Sequence, residues 1–247
     1  MKLIFLFFLG LFVGSFLNCV IYRLEKKKSF LSGKSSCPKC KKQLKWFDLI
    51  PVLSFILLKG KCRYCKKKIS LQYPLVELGT GFVFLFAGIY TNTYIYIFYL
   101  LIASCFLICI FVYDLKHFLI PDKLIYPLIV LSFLFMLLNY ESFLNFFLSG
   151  ILSALFFFSL WFFSKGKWMG FGDVKLALFM GFFLGSPKIV VALFSSFLFG
   201  ALVGLFLIVL KKKKLKSEVP FGPFLVFGTF LGLFLGKEII TWYFSLL

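Results

Sequence analysis

Apolar runs alternate with short polar breaks along this chain, and one long polar stretch at 23–73 interrupts them. A helix needs roughly 20 mostly apolar residues to cross a hydrocarbon core about 30 Å thick. By that ruler the pattern predicts eight spans, at 3–22, 74–91, 94–112, 124–139, 143–163, 172–186, 188–210 and 224–245. The breaks fall at Asn92, Pro121-Asp122, Asn139-Tyr140-Glu141, Lys165-Gly166-Lys167, Gly185-Ser186-Pro187 and the lysine-rich run 211–216. The expected fold class is an all-α polytopic membrane protein with about eight transmembrane helices and a small insertion between the first two. Its predicted parts are a first transmembrane helix (1–22), the insertion (23–73) and a membrane-embedded domain (74–247).

Composition agrees with that pattern. Of the 247 residues 62% are hydrophobic, against about 45–50% in ordinary soluble domains. The 39 Phe residues read as lipid-facing and packing material, without a stacking pattern for bases.

Charge orients the helices. With eight spans, the polar segments on one side (23–73, 113–123, 164–175 and 211–223) hold 25 of the 28 Lys and Arg residues. The other side keeps only Lys2, Lys188 and Lys237. The positive-inside rule makes the rich side cytoplasmic, so both termini are expected outside. One missed helix would swap every later loop, and the split would collapse. The same asymmetry accounts for the net charge of +19 through the anionic cytoplasmic leaflet, so nucleic acid is not expected as a partner. The first apolar run lacks a small-x-small cleavage site followed by a soluble chain, and the basic cluster from Arg23 to Lys28 would resist export. It reads as a retained helix. The run at 211–216 is a topology anchor.

The insertion carries Cys37-Pro38-Lys39-Cys40 and, after 21 intervening residues, Cys62-Arg63-Tyr64-Cys65. Two C-x2-C knuckles at this separation match the four-cysteine zinc pattern, in which each tight turn presents two thiolates and two turns complete a tetrahedron. A segment this short is marginal on a hydrophobic core alone, and a structural Zn2+ would supply stability. Disulfides or free thiols are the alternative, but the expected cytoplasmic location disfavours disulfides. Cys19, Cys105 and Cys109 lie in apolar runs and read as packing residues.

Among only nine acidic residues, Asp114 and Asp173 stand where apolar runs meet polar breaks. A carboxylate there costs roughly 2.5–3.5 kcal/mol on insertion scales, which marks each as a functional candidate. Three readings remain open from the residues alone: a carboxyl pair that shares a proton and activates water, a proton or ion relay, or a structural role. Gly170 and Gly172 around Phe171 predict a sharply turned backbone before Asp173. The apolar run 174–184 is about 17 Å long as a helix, so that turn is expected within the membrane thickness. Asp173 would cap a helix from Val174, and Asp122 a helix from Leu124. Capping explains Asp114 poorly. His117, the single histidine, reads as a solvated turn residue, and Glu77 as an interfacial one.

Together these residues resemble the bacterial prepilin peptidase family, also called type 4 prepilin leader peptidases, over almost the whole chain. The resemblance rests on the stretch from Gly14 to Leu24, on Ser36-Cys37-Pro38-Lys39-Cys40 with Asp48-Leu49-Ile50-Pro51, and on Gly60-Lys61-Cys62-Arg63-Tyr64-Cys65 running on to Tyr73-Pro74-Leu75-Val76-Glu77. It also rests on Asp114-Leu115-Lys116-His117 with Ile120-Pro121-Asp122, and on Gly170-Phe171-Gly172-Asp173-Val174-Lys175. It implies an intramembrane aspartic peptidase of the GxGD type in the bacterial inner membrane. Such an enzyme cleaves the basic leader of prepilins and pseudopilins at the cytoplasmic face, after Gly and usually before Phe. Asp114 and Asp173 match the family's catalytic pair, and Asp122 a nearby motif aspartate outside it. Many members also methylate the new N-terminus from S-adenosylmethionine, an activity linked to the cysteine domain, although no glycine-rich Rossmann-type loop is visible. Pilus, type II secretion and competence pseudopilins are all compatible substrates. A presenilin-like aspartyl protease and a proton-coupled transporter are the competing readings.

Overall fold

Helices make up most of the computed structural model, which describes residues 1–26, 35–138, 142–210 and 219–245. After α1 (Lys2–Glu25) the insertion contributes a 3₁₀ turn (Trp46–Leu49) and the short α2 (Leu53–Leu57). Then follow α3 (Gln72–Tyr90), α4 (Tyr94–His117), α5 (Asp122–Leu138), α6 (Phe143–Phe163), α7 (Phe171–Leu184), α8 (Lys188–Val209) and α9 (Gly222–Ser245). Among the described residues a helix thus occupies each of the eight predicted segments. Six of them, α1, α3, α4, α6, α8 and α9, are long and apolar enough to cross a membrane. The other two are shorter: α5 has 17 residues and α7 has 14. Among the described residues there are no strands, only isolated bridges from Ser36 to Gln43 and from Lys61 to Lys68. The break at 139–141, Lys27-Lys28 and the run 211–216 lie outside the described residues.

The chain divides into two compact units, Met1–Cys109 and Ile110–Leu247, with the boundary inside α4. In the first, α1 and α3 pack backbone against backbone. A Cβ on Gly10 would lie 2.8 Å from Gly81 Cα, and one on Gly14 would lie 2.7 Å from Glu77 Cα. Gly10 and Gly14 thus form a small-xxx-small face that admits close approach where lipid supplies no hydrophobic drive between helices. Lys2 closes one end of the pair by donating to the Gly88 and Thr91 carbonyls at 3.2 and 3.1 Å, where the last carbonyls of α3 lack helical partners. At the other end Asn18 Nδ2 donates to the Tyr73 carbonyl at 3.0 Å and its Oδ1 accepts from Gln72 Nε2. Glu77 is buried there among protein groups: Val52 N–H donates to its Oε2 at 2.8 Å, and Ser15 bonds it as well.

In the second unit α7 is the central element. Ten of its 14 residues are buried, so a segment too short to span is wrapped by α5, α6 and α9. Its crossing with α6 places Gly181 directly on the Gly150 backbone, while Gly228 and Gly232 of α9 lie on Ala192 of α8 in the same manner. Phenylalanine fills the gaps, with Phe221 against Phe197 at 5.0 Å between ring centroids.

Two sequence expectations change here. The apolar run ending at 112 continues as helix to His117, because nothing between Tyr113 and His117 breaks it. The Gly170–Asp173 stretch is not a sharp turn: Gly170 precedes α7, and Phe171, Gly172 and Asp173 are its first turn. Gly172 serves close approach, since a Cβ there would come within 2.9 Å of Ile120 Cβ.

Candidate active site

Asp114 sits in the last turn of α4 and Asp173 in the first turn of α7, so both carboxylates hang from helix ends rather than from mid-span positions. Both are buried, at 4% and 7% exposure. Each meets a backbone amide at the start of a helix. Gly170 N–H donates to Asp173 Oδ2 at 3.2 Å, and Gly222 N–H, opening α9, donates to the Asp114 carboxylate. Helix N-termini carry unpaired N–H groups and a partial positive charge, which suits carboxylates. The two aspartates also lie close enough for their charges to repel.

Ile120 holds this convergence together. Its Cβ lies 2.9 Å from where a Cβ on Gly172 would be, and its Cδ1 lies 3.4 Å from the same point on Gly222. Three segments therefore meet around one isoleucine: the end of α4, the start of α7 and the start of α9. Gly222 was not singled out by sequence reasoning. The available signal was a glycine opening the last helix, as Gly170 precedes α7. A Cβ on Gly222 would lie 2.5 Å from Asp114 Oδ2. Gly222→Ala is expected to displace that carboxylate and lower processing by roughly 10²-fold, at unchanged protein level in membranes. Normal processing by the variant would remove Gly222 from the site.

Asp122, read as a helix cap, lies in the first turn of α5 and accepts from Lys175 Nζ. The ammonium also stands over the Tyr126 ring, 4.6 Å from its centroid, and 5.4 Å from that of Phe171. This cluster fastens α7 to α5 two residues beyond Asp173. His117 packs its ring on Tyr113 at 4.4 Å in the last turn of α4.

The insertion forms a second site. Sγ atoms of Cys37, Cys40, Cys62 and Cys65 all lie within 4.8 Å of one another, and all four are free thiols. A tetrahedral zinc with bonds of about 2.3 Å sets the sulfurs roughly 3.8 Å apart, so the donor set fits such an ion. The two knuckles repeat one design. Cys37 N–H donates to Lys42 O at 3.0 Å and Cys62 N–H to Lys67 O at 2.9 Å. Lys41 and Lys66 take the same left-handed backbone, φ 58° and 57°. Burial pushes the Cys37 thiol up, but the Cys40 and Lys39 amides and neighbouring thiols bring it down to about 7. Asp48 ties the second knuckle to the 3₁₀ turn, accepting from Arg63 Nε at 2.8 Å and from the Tyr64 hydroxyl at 3.2 Å. Burial alone would raise its carboxyl; these bonds hold it below the usual range.

Residues 101–205, which contain both buried aspartates, match the model of the type IV leader peptidase family. Residues 8–91, which contain the four cysteines, match the bacterial peptidase A24 N-terminal domain. A relative from Bacillus subtilis is 34% identical over 96% of this chain and 96% of its own length. The chain belongs to the type IV leader peptidase family. That relative is named prepilin leader peptidase/N-methyltransferase, as are relatives from Aeromonas salmonicida (32% identical, 99% of this chain and 94% of theirs) and Legionella pneumophila (31%, 95% and 92%). No solved structure matches the chain at a significant level. Membership in this family disfavours the presenilin-like and transporter readings, and places the cysteine cluster and the carboxylates in the two matched parts of a multi-pass membrane protein.

Proposed function

We propose that Asp114 and Asp173 are the catalytic pair with which this member of the type IV leader peptidase family cleaves prepilin leaders. The observation that carries the assignment is a pair of buried carboxylates at separate helix ends, near enough for their charges to interact, inside the family's matched region. Two carboxyls so placed share one proton. The ionised one takes a proton from water as the water oxygen attacks the scissile carbonyl; the protonated one donates to the carbonyl oxygen. Collapse of the tetrahedral species breaks the C–N bond, and the proton passes to the leaving amine. The Gly170 and Gly222 amides orient the two carboxylates throughout. Cleavage falls after a glycine of the leader, and the substrates are prepilins or pseudopilins.

The protein resides in the bacterial inner membrane with both termini outside and both aspartates at the cytoplasmic face. The distribution of 25 against 3 basic residues supports that orientation,. Residues 23–73 act as a cytoplasmic domain holding structural zinc through Cys37, Cys40, Cys62 and Cys65, and 74–247 as the peptidase domain. Methylation of the new N-terminus is part of this reading, supported by the N-methyltransferase names of the relatives, with S-adenosylmethionine as the methyl donor.

Mass spectrometry of a prepilin co-expressed with this chain tests the reading. The expected product lacks its leader, begins directly after a glycine and carries one methyl group. An intact prepilin would overturn the peptidase assignment. For the metal, the purified protein is expected to contain one zinc per chain, and the Cys37→Ser, Cys62→Ser double variant none. Equal zinc content in both proteins would exclude the cluster as its site.

A further inference from the structure

The short helix of the insertion displays an apolar face. Leu53, Ile56 and Leu57 occupy positions i, i+3 and i+4 of α2, hence one side of it, and are 50%, 63% and 71% exposed. Trp46 before α2 and Leu75 of α3 are exposed too. The other side of α2 is engaged within the insertion, where the Phe55 ring packs against Gly60.

Depth is set by the bond from Val52 N–H to Glu77. Glu77 is the sixth residue of α3, a candidate span. Five rises of 1.5 Å put it about 8 Å from the start of that helix along its axis. The residue that opens α2 is therefore pinned below the end of α3, within the length that α3 offers to hydrocarbon. A module standing clear of the bilayer would meet the helix end instead. Charge points the same way: the exposed Lys45, Lys59 and Lys61 come before and after α2 in the chain, while Asp48 is occupied by Arg63. An apolar stripe with lysines before and after it, pinned at this depth, suits a lipid interface with anionic headgroups.

We propose that α2 is an interfacial membrane helix, with Leu53, Ile56 and Leu57 among the upper acyl chains and Lys59 and Lys61 at lipid phosphates. The insertion is then seated on the bilayer by lipid as well as by its bond to Glu77. This seat is independent of the catalytic assignment.

The test places the photoreactive residue p-benzoylphenylalanine at Ile56 of the full chain, in native membranes and in nanodiscs containing phosphatidylglycerol. Phe8, exposed on the spanning helix α1, serves as the lipid-facing reference, and the same probe at Leu57 covers loss of folding at position 56. The expected principal product at 56 and 57 is a lipid adduct, in yield within about threefold of that at Phe8. Replacing phosphatidylglycerol by phosphatidylcholine is expected to lower the yield at 56 by about threefold and leave Phe8 unchanged. Absence of lipid adducts at both positions while Phe8 labels, or a polypeptide adduct in native membranes, would overturn the proposal. Equal yields in the two lipids would overturn the lysine–phosphate contact.

Discussion

Asp114→Asn and Asp173→Asn each stop leader removal while the protein accumulates in the membrane at its normal level. The loss is expected to reach at least about 10³-fold, because positioned proton transfer alone contributes 10²–10⁴-fold and each carboxyl serves in both halves of the reaction. Asparagine keeps the size of the side chain and an oxygen able to accept from Gly222 N–H or Gly170 N–H, so the helix ends stay in register. What it cannot do is exchange a proton with water or with the peptide. Immunoblots of a co-expressed prepilin report the shift from precursor to mature form, and a blot of the variant itself reports its level. Full maturation by either variant would sink the dyad. Loss of the protein instead of its activity would identify the buried carboxylate as structural.

The second large effect concerns folding. At the α6–α7 crossing a Cβ on Gly181 would run into Gly150 Cα, Gly150 N and Ser149 O, all of them backbone. Side chains can rotate away from an intruder; a helix backbone can only be pushed aside. Gly181→Val is therefore expected to cost more than about 3 kcal/mol, at the upper end of overpacking effects. The readout is a lower thermal midpoint in detergent and reduced steady-state protein. Gly204 is the control, since a Cβ there meets nothing within 4 Å. Gly204→Ala should leave stability unchanged or raise it by up to about 1 kcal/mol through helix propensity. Equal behaviour of the two variants would show that the crossing does not carry the packing.

Much of the candidate site is legible because it is written in rare residues. Acidic side chains stand out against apolar runs, and the cysteine spacing signals its own chemistry, so Asp114, Asp173 and the four thiols could be named before any coordinates. Their partners were harder to see. Asp114 is held by the amide of Gly222, and a backbone N–H leaves no mark in a sequence beyond the permissive residue that carries it. The role of Gly172 was misread for a related reason. Glycine permits both a turn and a close contact, and only the position of Ile120 decides between them. Asp122 looked like a cap because capping is a local property, whereas its Lys175 partner lies on another helix. The eight segments followed from hydropathy, yet hydropathy does not distinguish a helix that faces lipid from α7, which is buried nearly all round.

That burial bears on how α7 is held in the membrane. A segment of 14 residues with Asp173 and Lys175 in its first turns is too short, and too polar at one end, to leave the translocon for lipid by itself. Its most extensive packing is against α6, with Gly181 seated on Gly150, so α7 is expected to be held in the bilayer by that neighbour rather than by lipid. The length of one helix thus makes the depth of Asp173 depend on the neighbour that α7 packs against.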